Sequence, residues 1–483
     1  GALPWVMPIL GDIPVYGTGF TREIARHRLG EHKLWTEEAI QTFEPRAPFQ
    51  AGPFQVEGFR VTHSLPDCVA LALRCEDGTI VHTGDWKIDE DPMDGERFDR
   101  EGLEALGDEG VNLLLSDSTN ASVPGWTRGE RPVATSLQEE IANWDGRVVV
   151  TQFASNLHRL RGLVEAAEAT GRKLVFVGRS LWRYLEAAQR SGRAPIDSGK
   201  VVRPEKLGEL AARETLVVCT GSQGERRAAL YQSSIGRHPH LQIGRGDRVL
   251  HSARVIPGNE ASAWRMLNDL ARRGGQVVAG RDTGIHASGH ARRDELTEML
   301  RLIRPGCFVP IHGEHSFLTN HAEVAREAGV GRVHVIHNGE VFGIEPGPAK
   351  GEVADAARID FFALESRYND HKATGTYDDM KLKERRRIGW HGLVVVDVHL
   401  EAGKAGHREV KEVGVETRSM WVDGGALELE MEREATRAAR GTEARASVEK
   451  LCENVEQAIR SLCRRRLDKR PDVVVIPHRG RWE

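Results

Sequence analysis

Apolar strand segments alternate with helical segments from residue 131 onward, and this alternation constrains the fold more than any other feature of the sequence. Each strand segment is short, ends in a glycine or a polar turn, and precedes a helical or turn segment. Parallel strands need a crossover between them, usually a helix, so this order predicts a mostly parallel α/β sheet. The predicted segments are strands at 148–151, 174–177 and 215–219 and helices at 157–169 and 180–190.

Short strands also occur between residues 56 and 117, and polar side chains stand at their ends. His63 and Asp85 follow two of these strands, and His312 follows another apolar segment further along the chain. Zinc accepts imidazole nitrogen and carboxylate oxygen as ligands, and loops at strand ends can bring distant residues around one ion. One such histidine alone is more often an ordinary polar residue, so the set carries the argument. The predicted strands are 58–63, 79–83 and 111–115.

The composition argues against several classes of protein. The six cysteines of the 483-residue chain are scattered without a Cys-x-x-Cys pair, which disfavours a disulfide framework and a structural zinc finger. We recognise neither a signal peptide nor an apolar run long enough to span a bilayer, so we expect a cytoplasmic protein without membrane insertion. Because the formal net charge is −4, any contact with nucleic acid must use local basic patches.

The C-terminal part has its own pattern of strands and a helix. Apolar strand segments lie at 393–398 and 473–476, and a stripe of apolar residues at helical spacing lies between them. This pattern predicts a small, separate α/β module. The residues of the stripe are Val448, Leu451, Val455, Ile459 and Leu462.

Several local motifs together resemble the β-CASP nuclease branch of the metallo-β-lactamase superfamily, and more closely the ribonuclease J family. The resemblance spans nearly the whole chain. It implies an α/β fold in which a metallo-β-lactamase αββα sandwich carries an inserted β-CASP α/β domain and a small C-terminal α/β domain. The motifs are VTHSLPD at 61–67, HTGDWK at 82–87, SDSTN at 116–120, CTGSQGE at 219–225, IPGNE at 256–260, HASGH at 286–290 and PIHGE at 310–314.

The resemblance implies a centre of two zinc ions. His63 would be a terminal ligand, Asp85 the carboxylate that bridges both ions, and His312 a ligand of the second ion. Asp117 would support the metal site, although an isolated Asp of this kind is also typical of a turn or a helix cap. Two close metal ions stabilise the oxygens of an in-line phosphoryl displacement. The implied catalytic residues are Asp85, Asp117 and His290.

Two further segments are predicted to bind the substrate. The segment 286–290 resembles the family motif that holds the scissile phosphate near the metals, and its His290 would also donate a proton. The segment 154–156 lies between a strand and a helix, where backbone N–H groups can hold phosphate. The simpler interpretations are a solvated pair of histidines and an ordinary N-cap. The predicted substrate-binding residues are Ala154, Ser155, Asn156, His286, Ala287, Ser288, Gly289 and His290.

One motif that the resemblance implies is absent. The leading metal motif of the family, His-x-His-x-Asp-His, should stand upstream of the opening Gly1-Ala2, and the one His-x-His, His238-Pro239-His240, lacks the Asp-His and is interpreted as a loop. We expect a cut end, so that an upstream reading frame would supply the motif. The alternatives are a noncatalytic RNA-binding or scaffold paralogue and a small-molecule hydrolase such as a glyoxalase II. The long insertion between Asp117 and His286 disfavours the last.

The implied activity is zinc-dependent hydrolysis of RNA in RNA processing and decay, both endonucleolytic and 5′→3′ exonucleolytic. The implied partners are RNA and further copies of the chain, in a dimer or tetramer. The predicted domains are the first part of the metallo-β-lactamase domain at 1–130, the β-CASP domain at 131–281, the return segment of the metallo-β-lactamase domain at 282–345, a linker at 346–387 and the C-terminal domain at 388–483.

Overall fold

A computed structural model describes residues 2–280, 283–370, 373–402, 408–443 and 445–479 of the 483-residue chain. The chain divides into two compact units, Gly1–Phe362 and Ala363–Glu483. Within the described residues, no helix has both the length and the apolar character that crossing a membrane requires.

The first unit begins with two helices and two short strands. The strands pair in parallel, and the second helix buries Phe20, Ala25 and Leu29 on one face. These elements form a small apolar cluster of their own around Leu29 and Ile40. The elements are α1 (Leu3–Leu10), β1 (Tyr16–Gly17), α2 (Gly19–Glu31) and β2 (Gln41–Thr42).

The next five strands form most of a seven-stranded sheet. The first four pair antiparallel with one another, and the fifth pairs in parallel with the fourth. All three predicted strands have different bounds. The strand predicted over 58–63 begins at Phe54 and ends at Arg60, because Thr62 instead bridges to Lys87, and the strand predicted over 79–83 runs from Gly78 to His82. The strand predicted over 111–115 begins at Leu113 and continues to Asp117. The elements are β3 (Phe49–Ala51), β4 (Phe54–Arg60), β5 (Val69–Cys75), β6 (Gly78–His82), α3 (Arg100–Glu109) and β7 (Leu113–Asp117).

The second sheet is five-stranded and wholly parallel, as the alternation of strands and helices predicted. Its order is β12-β11-β8-β10-β9. Val148 and Val150 of β8 pack into one apolar core and Val149 into another, so helices cover both faces. The elements are α4 (Glu130–Ala142), β8 (Val148–Thr151), α5 (Leu157–Thr170), β9 (Lys173–Val177), α6 (Arg179–Arg190), β10 (Thr215–Cys219), α7 (Ala229–Ser234), β11 (Arg248–His251), α8 (Glu260–Arg272) and β12 (Gln276–Val278).

The chain then returns to the first sheet. β13 pairs in parallel with β7 and β14 with β13, which completes the order β14-β13-β7-β6-β5-β4-β3. Leu103 of α3, Met299 of α9 and Val324 of α10 pack into the core of this sheet. The remaining elements of the unit are α9 (Arg293–Ile303), β13 (Cys307–Ile311), α10 (His315–Glu327), β14 (Arg332–Val333), β15 (Glu340–Pro346) and β16 (Val353–Phe361).

Residues 346–387, which the sequence predicted to be a linker, contain regular structure. β16 pairs antiparallel with β15, and the Gly, Pro and acidic residues that suggested a connector occupy the turn between these two strands. The boundary between the two units, after Phe362, also falls inside this range. The predicted bounds of the individual domains stay predictions.

The second unit contains a three-stranded sheet and two long helices. β19 pairs antiparallel with β20 and parallel with β21, and the predicted strands 393–398 and 473–476 lie within β19 and β21. The predicted apolar stripe lies on α13, where all its members except Val448 are buried. The elements are β17 (Tyr368–Asp370), β18 (Ala373–Gly375), α11 (Leu382–His391), β19 (Leu393–Ala402), β20 (Arg408–Arg418), α12 (Ala426–Gly441), α13 (Val448–Leu467) and β21 (Asp472–Arg479).

Candidate metal centre

Three adjacent parallel strands of the seven-stranded sheet carry acidic and imidazole side chains at their carboxyl ends. Asp85 follows β6, Asp117 ends β7 and His312 follows β13. Because β7 lies between β6 and β13, and Asp117 is in register with Ile311, these three side chains meet at one edge of the sheet. His290, from the loop before α9, joins them. The four residues Asp85, Asp117, His290 and His312 each offer a ligand atom within 4.8 Å of the others, which defines the ligand group.

Asp117 is the buried member of the ligand group, with 2% of the residue exposed. His290 donates from Nδ1 to Oδ2 at 2.7 Å, and His312 Nδ1 lies 3.1 Å from Oδ1. Burial acts to raise the pKa of Asp117, but the hydrogen bonds from His290 and His312 outweigh it and hold the pKa well below its ordinary value. Thr119 N–H also donates to Oδ1, so the turn of the simpler interpretation is present too. Asp117 therefore carries a negative charge between two imidazoles.

His312 leaves β13 with a φ of 55°, in the left-handed region that side chains rarely adopt. Such a conformation costs about 1 kcal/mol or more and persists where the surroundings require it. It brings Nδ1 to 3.5 Å from Asp85 Oδ1. The hydrogen bond with Asp117 and the nearby charge of Asp85 raise the pKa of His312. The imidazole therefore lies within 3.5 Å of a carboxylate oxygen of both Asp85 and Asp117.

His63 lies beside the ligand group. Its Nδ1 is 2.6 Å from the carbonyl oxygen of Gly289, which can only accept, so Nδ1 donates and Nε2 remains for a metal. Burial, with help from nearby His290, lowers the pKa of His63 to about 4, so the imidazole is neutral, as a ligand must be. A Cβ on Gly289 would stand 2.4 Å from the His63 ring, so only glycine permits this close approach.

Asn120 holds the predicted phosphate-binding segment in place. Its Nδ2 donates to the Ser288 hydroxyl and to the carbonyl oxygen of His290, each at 2.9 Å. Arg254 in turn donates from Nη1 to Asn120 Oδ1 at 2.8 Å. The SDSTN motif contained Asn120, but sequence reasoning gave it no role. The sequence signal that could have identified Asn120 was its position three residues after Asp117.

A buried arginine that sequence reasoning missed supports the same segment. Arg159 is 2% exposed, and it donates from Nη1 to His286 Nδ1 at 2.8 Å and from Nη2 to the carbonyl oxygen of Ala287 at 3.2 Å. Because His286 Nδ1 accepts, its proton is on Nε2. That nitrogen is buried and has no hydrogen-bond partner in the described part of the chain. Burial and the Arg159 charge lower the pKa of His286 to about 3, so the ring is a neutral N–H donor.

Glu130 is the counter-ion of Arg159. Arg159 Nη2 donates to its Oε1 at 2.8 Å and to its Oε2 at 3.0 Å, and Glu130 is also 2% exposed. Burial acts to raise the pKa of Glu130, but the charges of Arg159 and Lys87 lower it to about 2. The result is a charged pair buried beneath the predicted phosphate-binding segment.

The segment 154–156 is joined to this pair. Asn156 caps α5, accepting from the Arg159 backbone N–H at 2.8 Å, and its Nδ2 lies 3.4 Å from Glu130 Oε1. The interpretation as an N-cap is therefore confirmed, and the Asn156 side chain is engaged within the protein. A substrate contact by Ala154, Ser155 or Asn156 stays a prediction. The N-cap Asn156 was also the sequence signal that could have identified Arg159, because Arg159 lies within one helical turn of it.

Three protein-family models match the chain. The model for the Ribonuclease J beta-CASP domain matches residues 145–270, the model for a Zn-dependent metallo-hydrolase RNA specificity domain matches 274–337, and the model for the Ribonuclease J C-terminal domain matches 380–480. With the mixed α/β structure, the matches confirm the predicted fold class, a metallo-β-lactamase fold with an inserted β-CASP domain and a C-terminal α/β domain. The second match and the ligand group together support a metal cofactor.

Curated proteins named Ribonuclease J are similar over most of the chain. The protein from Sinorhizobium meliloti is 37% identical over 409 residues, which cover 83% of this chain and 70% of that protein. The protein from Mycolicibacterium smegmatis is 33% identical, covering 91% and 78%. The protein from Corynebacterium glutamicum is 34% identical, covering 82% of this chain, which spans about half, 54%, of that relative.

Proposed function

The chain belongs to the ribonuclease J family, and from this premise we propose that it is a metal-dependent ribonuclease that hydrolyses phosphodiester bonds of RNA. The observation that carries the proposal is the ligand group, which stands beside the Ser288 segment. A metal ion next to fixed hydroxyl and N–H donors suits a phosphodiester, because charge grows on its oxygens in the transition state.

The proposed metal is zinc, with Asp85 and His312 of the ligand group and the neighbouring His63 as ligands. Asp117 and His290, the other members of the group, are assigned to support of the site and to proton transfer. The donors are imidazole nitrogens and carboxylate oxygens, a set that zinc accepts. Bound zinc would act as a Lewis acid toward the phosphoryl oxygens. The proposed count of two ions needs the further ligands of His-x-His-x-Asp-His, so the residues of this sequence would hold at most one ion, weakly.

The protein's own side chains would bind the phosphate and move a proton. We assign the phosphate to the Ser288 hydroxyl, which Asn120 orients, and to the neutral Nε2–H of His286. His290 gives its Nδ1–H to Asp117, and in its doubly protonated imidazolium form it would transfer the second proton, from Nε2, to the leaving oxygen and become a neutral imidazole. Asp85 and Asp117 complete the proposed catalytic set. The side chains of Ser288, His286, His290 and Asp117 are already held by hydrogen bonds before a substrate arrives.

The finer activity follows the family resemblance. We propose both endonucleolytic and 5′→3′ exonucleolytic cleavage, in RNA processing and decay in the cytoplasm, by a dimer or tetramer. A second candidate, a noncatalytic RNA-binding or scaffold relative, is favoured by one observation, the absence of His-x-His-x-Asp-His from this sequence. The two candidates differ in whether zinc allows RNA to be cut.

Zinc-dependent cleavage of RNA tests the proposed function. We expect the purified protein to cut a 5′-labelled single-stranded RNA slowly when zinc is supplied, because only part of the proposed ligand set is present. A chelator should abolish the cutting, and added zinc should restore it. Stable RNA binding without any cutting in the presence of zinc would favour the noncatalytic candidate.

Two histidine substitutions separate the metal ligand from the proton donor. His312→Ala should lower both zinc content and cleavage, whereas His290→Ala should lower cleavage by about 10²-fold or more and leave zinc content nearly unchanged. The control is His315→Ala, an exposed histidine outside the ligand group. Zinc content would be read after dialysis. Loss of zinc from His290→Ala would show instead that His290 is a ligand.

A further inference from the structure

A cavity of about 510 Å³ opens at the carboxyl ends of β9 and β10, away from the ligand group's own strands. Its wall includes Val177 at the end of β9 and Thr220 just after β10. In open α/β sheets, ligands bind outside the carboxyl ends of the strands. The other wall residues that bear on its chemistry are Arg179, Arg203, Arg227, His238 and His240.

The cavity is positively charged where it is open to solvent. Arg179 and Arg227 are exposed, and within the described residues neither guanidinium has an ion-pair partner. Arg203 stacks its guanidinium over the Trp182 ring at 3.9 Å. Two carboxylates, Glu205 and Glu225, also line the cavity, so the three arginines exceed them by one charge before the histidines are counted. The exposed, unpaired cations suit a phosphate group.

Hydrogen bonds connect the cavity wall to the candidate metal centre. Thr220, Gly221 and Glu225 line the cavity, and Gln223 in the same loop donates from Nε2 to the carbonyl oxygen of Arg254 at 2.9 Å. Arg254 donates to Asn120, the residue that holds Ser288. The cavity wall and the Ser288 segment are therefore linked through Gln223, Arg254 and Asn120.

We propose that this cavity is a subsite for a nucleotide of the RNA strand other than the one being cleaved, with its phosphate between Arg179 and Arg227. This inference rests on the proposed function, since it takes RNA as the substrate. His238 and His240, which the sequence analysis interpreted as a loop, belong to the wall of the same cavity.

Binding of RNA with the metal chelated tests the subsite without cleavage. Labelled oligouridines of about 12 and about 3 nucleotides would be titrated into the protein at several salt concentrations. Arg179→Gln and Arg227→Gln should each weaken binding of the longer oligomer about fivefold and reduce the slope of log affinity against log salt by about 0.7. Binding of the shorter oligomer, which we expect to occupy the metal centre alone, should not change.

Arg226→Gln is the matched control, because it removes the same charge from an exposed neighbour that does not line the cavity. Equal weakening by Arg226→Gln, or no weakening by either test variant, would overturn the subsite. So would displacement of the long oligomer by inorganic phosphate or uridine monophosphate alone at similar affinity, which would indicate a small-molecule site. Thermal melting would verify folding. If the variants behave as expected but the protein never cuts RNA, the subsite stands and only the proposed function is contradicted.

Discussion

Glu130→Gln should lower the free energy of unfolding by about 3–5 kcal/mol, because it leaves the Arg159 guanidinium charged and buried without a counter-ion. Both side chains are almost wholly buried, and Arg159 uses its other hydrogens to hold His286 and Ala287. Arg159→Met should lower the free energy of unfolding by a similar amount, since it leaves the Glu130 carboxylate buried without a counter-ion. Chemical denaturation followed by circular dichroism measures both values, provided that the transition is two-state.

The double variant Glu130→Gln with Arg159→Met is the decisive comparison. Because it removes both charges together, its cost should be well below the sum of the two single costs. The exposed pair of Arg131 and Glu165, whose nearest atoms are 3.1 Å apart, supplies the control. Glu165→Gln should change stability by less than about 1 kcal/mol. Strict additivity of the two buried substitutions would mean that the pair is not coupled as the contacts indicate.

Asp117→Asn should weaken zinc binding by about 10- to 100-fold and reduce RNA cleavage to background. The substitution keeps the size of the side chain and removes its charge. Asp117 contacts both His290 and His312, so the loss affects two imidazoles at once. Zinc affinity would be measured by competition with a chelating dye, and cleavage with the labelled RNA.

Asp247→Asn separates loss of metal from loss of stability. Asp247 is also buried and ion-paired, with its Oδ2 2.7 Å from Arg147 Nη2, but it lies in the second sheet near the amino end of β11. We expect this control to destabilise the protein and to leave zinc binding intact. An Asp117→Asn protein that binds zinc with normal affinity would remove Asp117 from the proposed metal site.

The local elements were predictable because burial repeats at a short, fixed period along the chain. The strand at Val148–Thr151 and the stripe on α13 are examples, since each buries residues at the spacing that its own backbone geometry sets. The proximity of Asp85, Asp117 and His312 was also predictable. Carboxyl ends of neighbouring parallel strands share an edge, so residues placed there meet without any knowledge of the loops. The motif resemblance then supplied the chemistry that spacing alone left open.

The side chains that support the site could not be predicted in this way. Arg159 meets His286 across 127 residues of sequence, and Asn120 meets Ser288 across 168. Such a contact produces no periodic pattern in the sequence, because it depends on how two sheets and the loop between them pack. Glycine, proline and acidic residues likewise fit both a connector and the turn of a hairpin, and only the pairing of β15 with β16 distinguishes them. The sequence by itself thus determined the strands and helices whose burial is periodic and the residue types of the candidate metal site, which follow from local geometry and ligand chemistry. Only the tertiary structure decided which buried groups orient them, because those hydrogen bonds and ion pairs join residues that the chain brings together solely by folding.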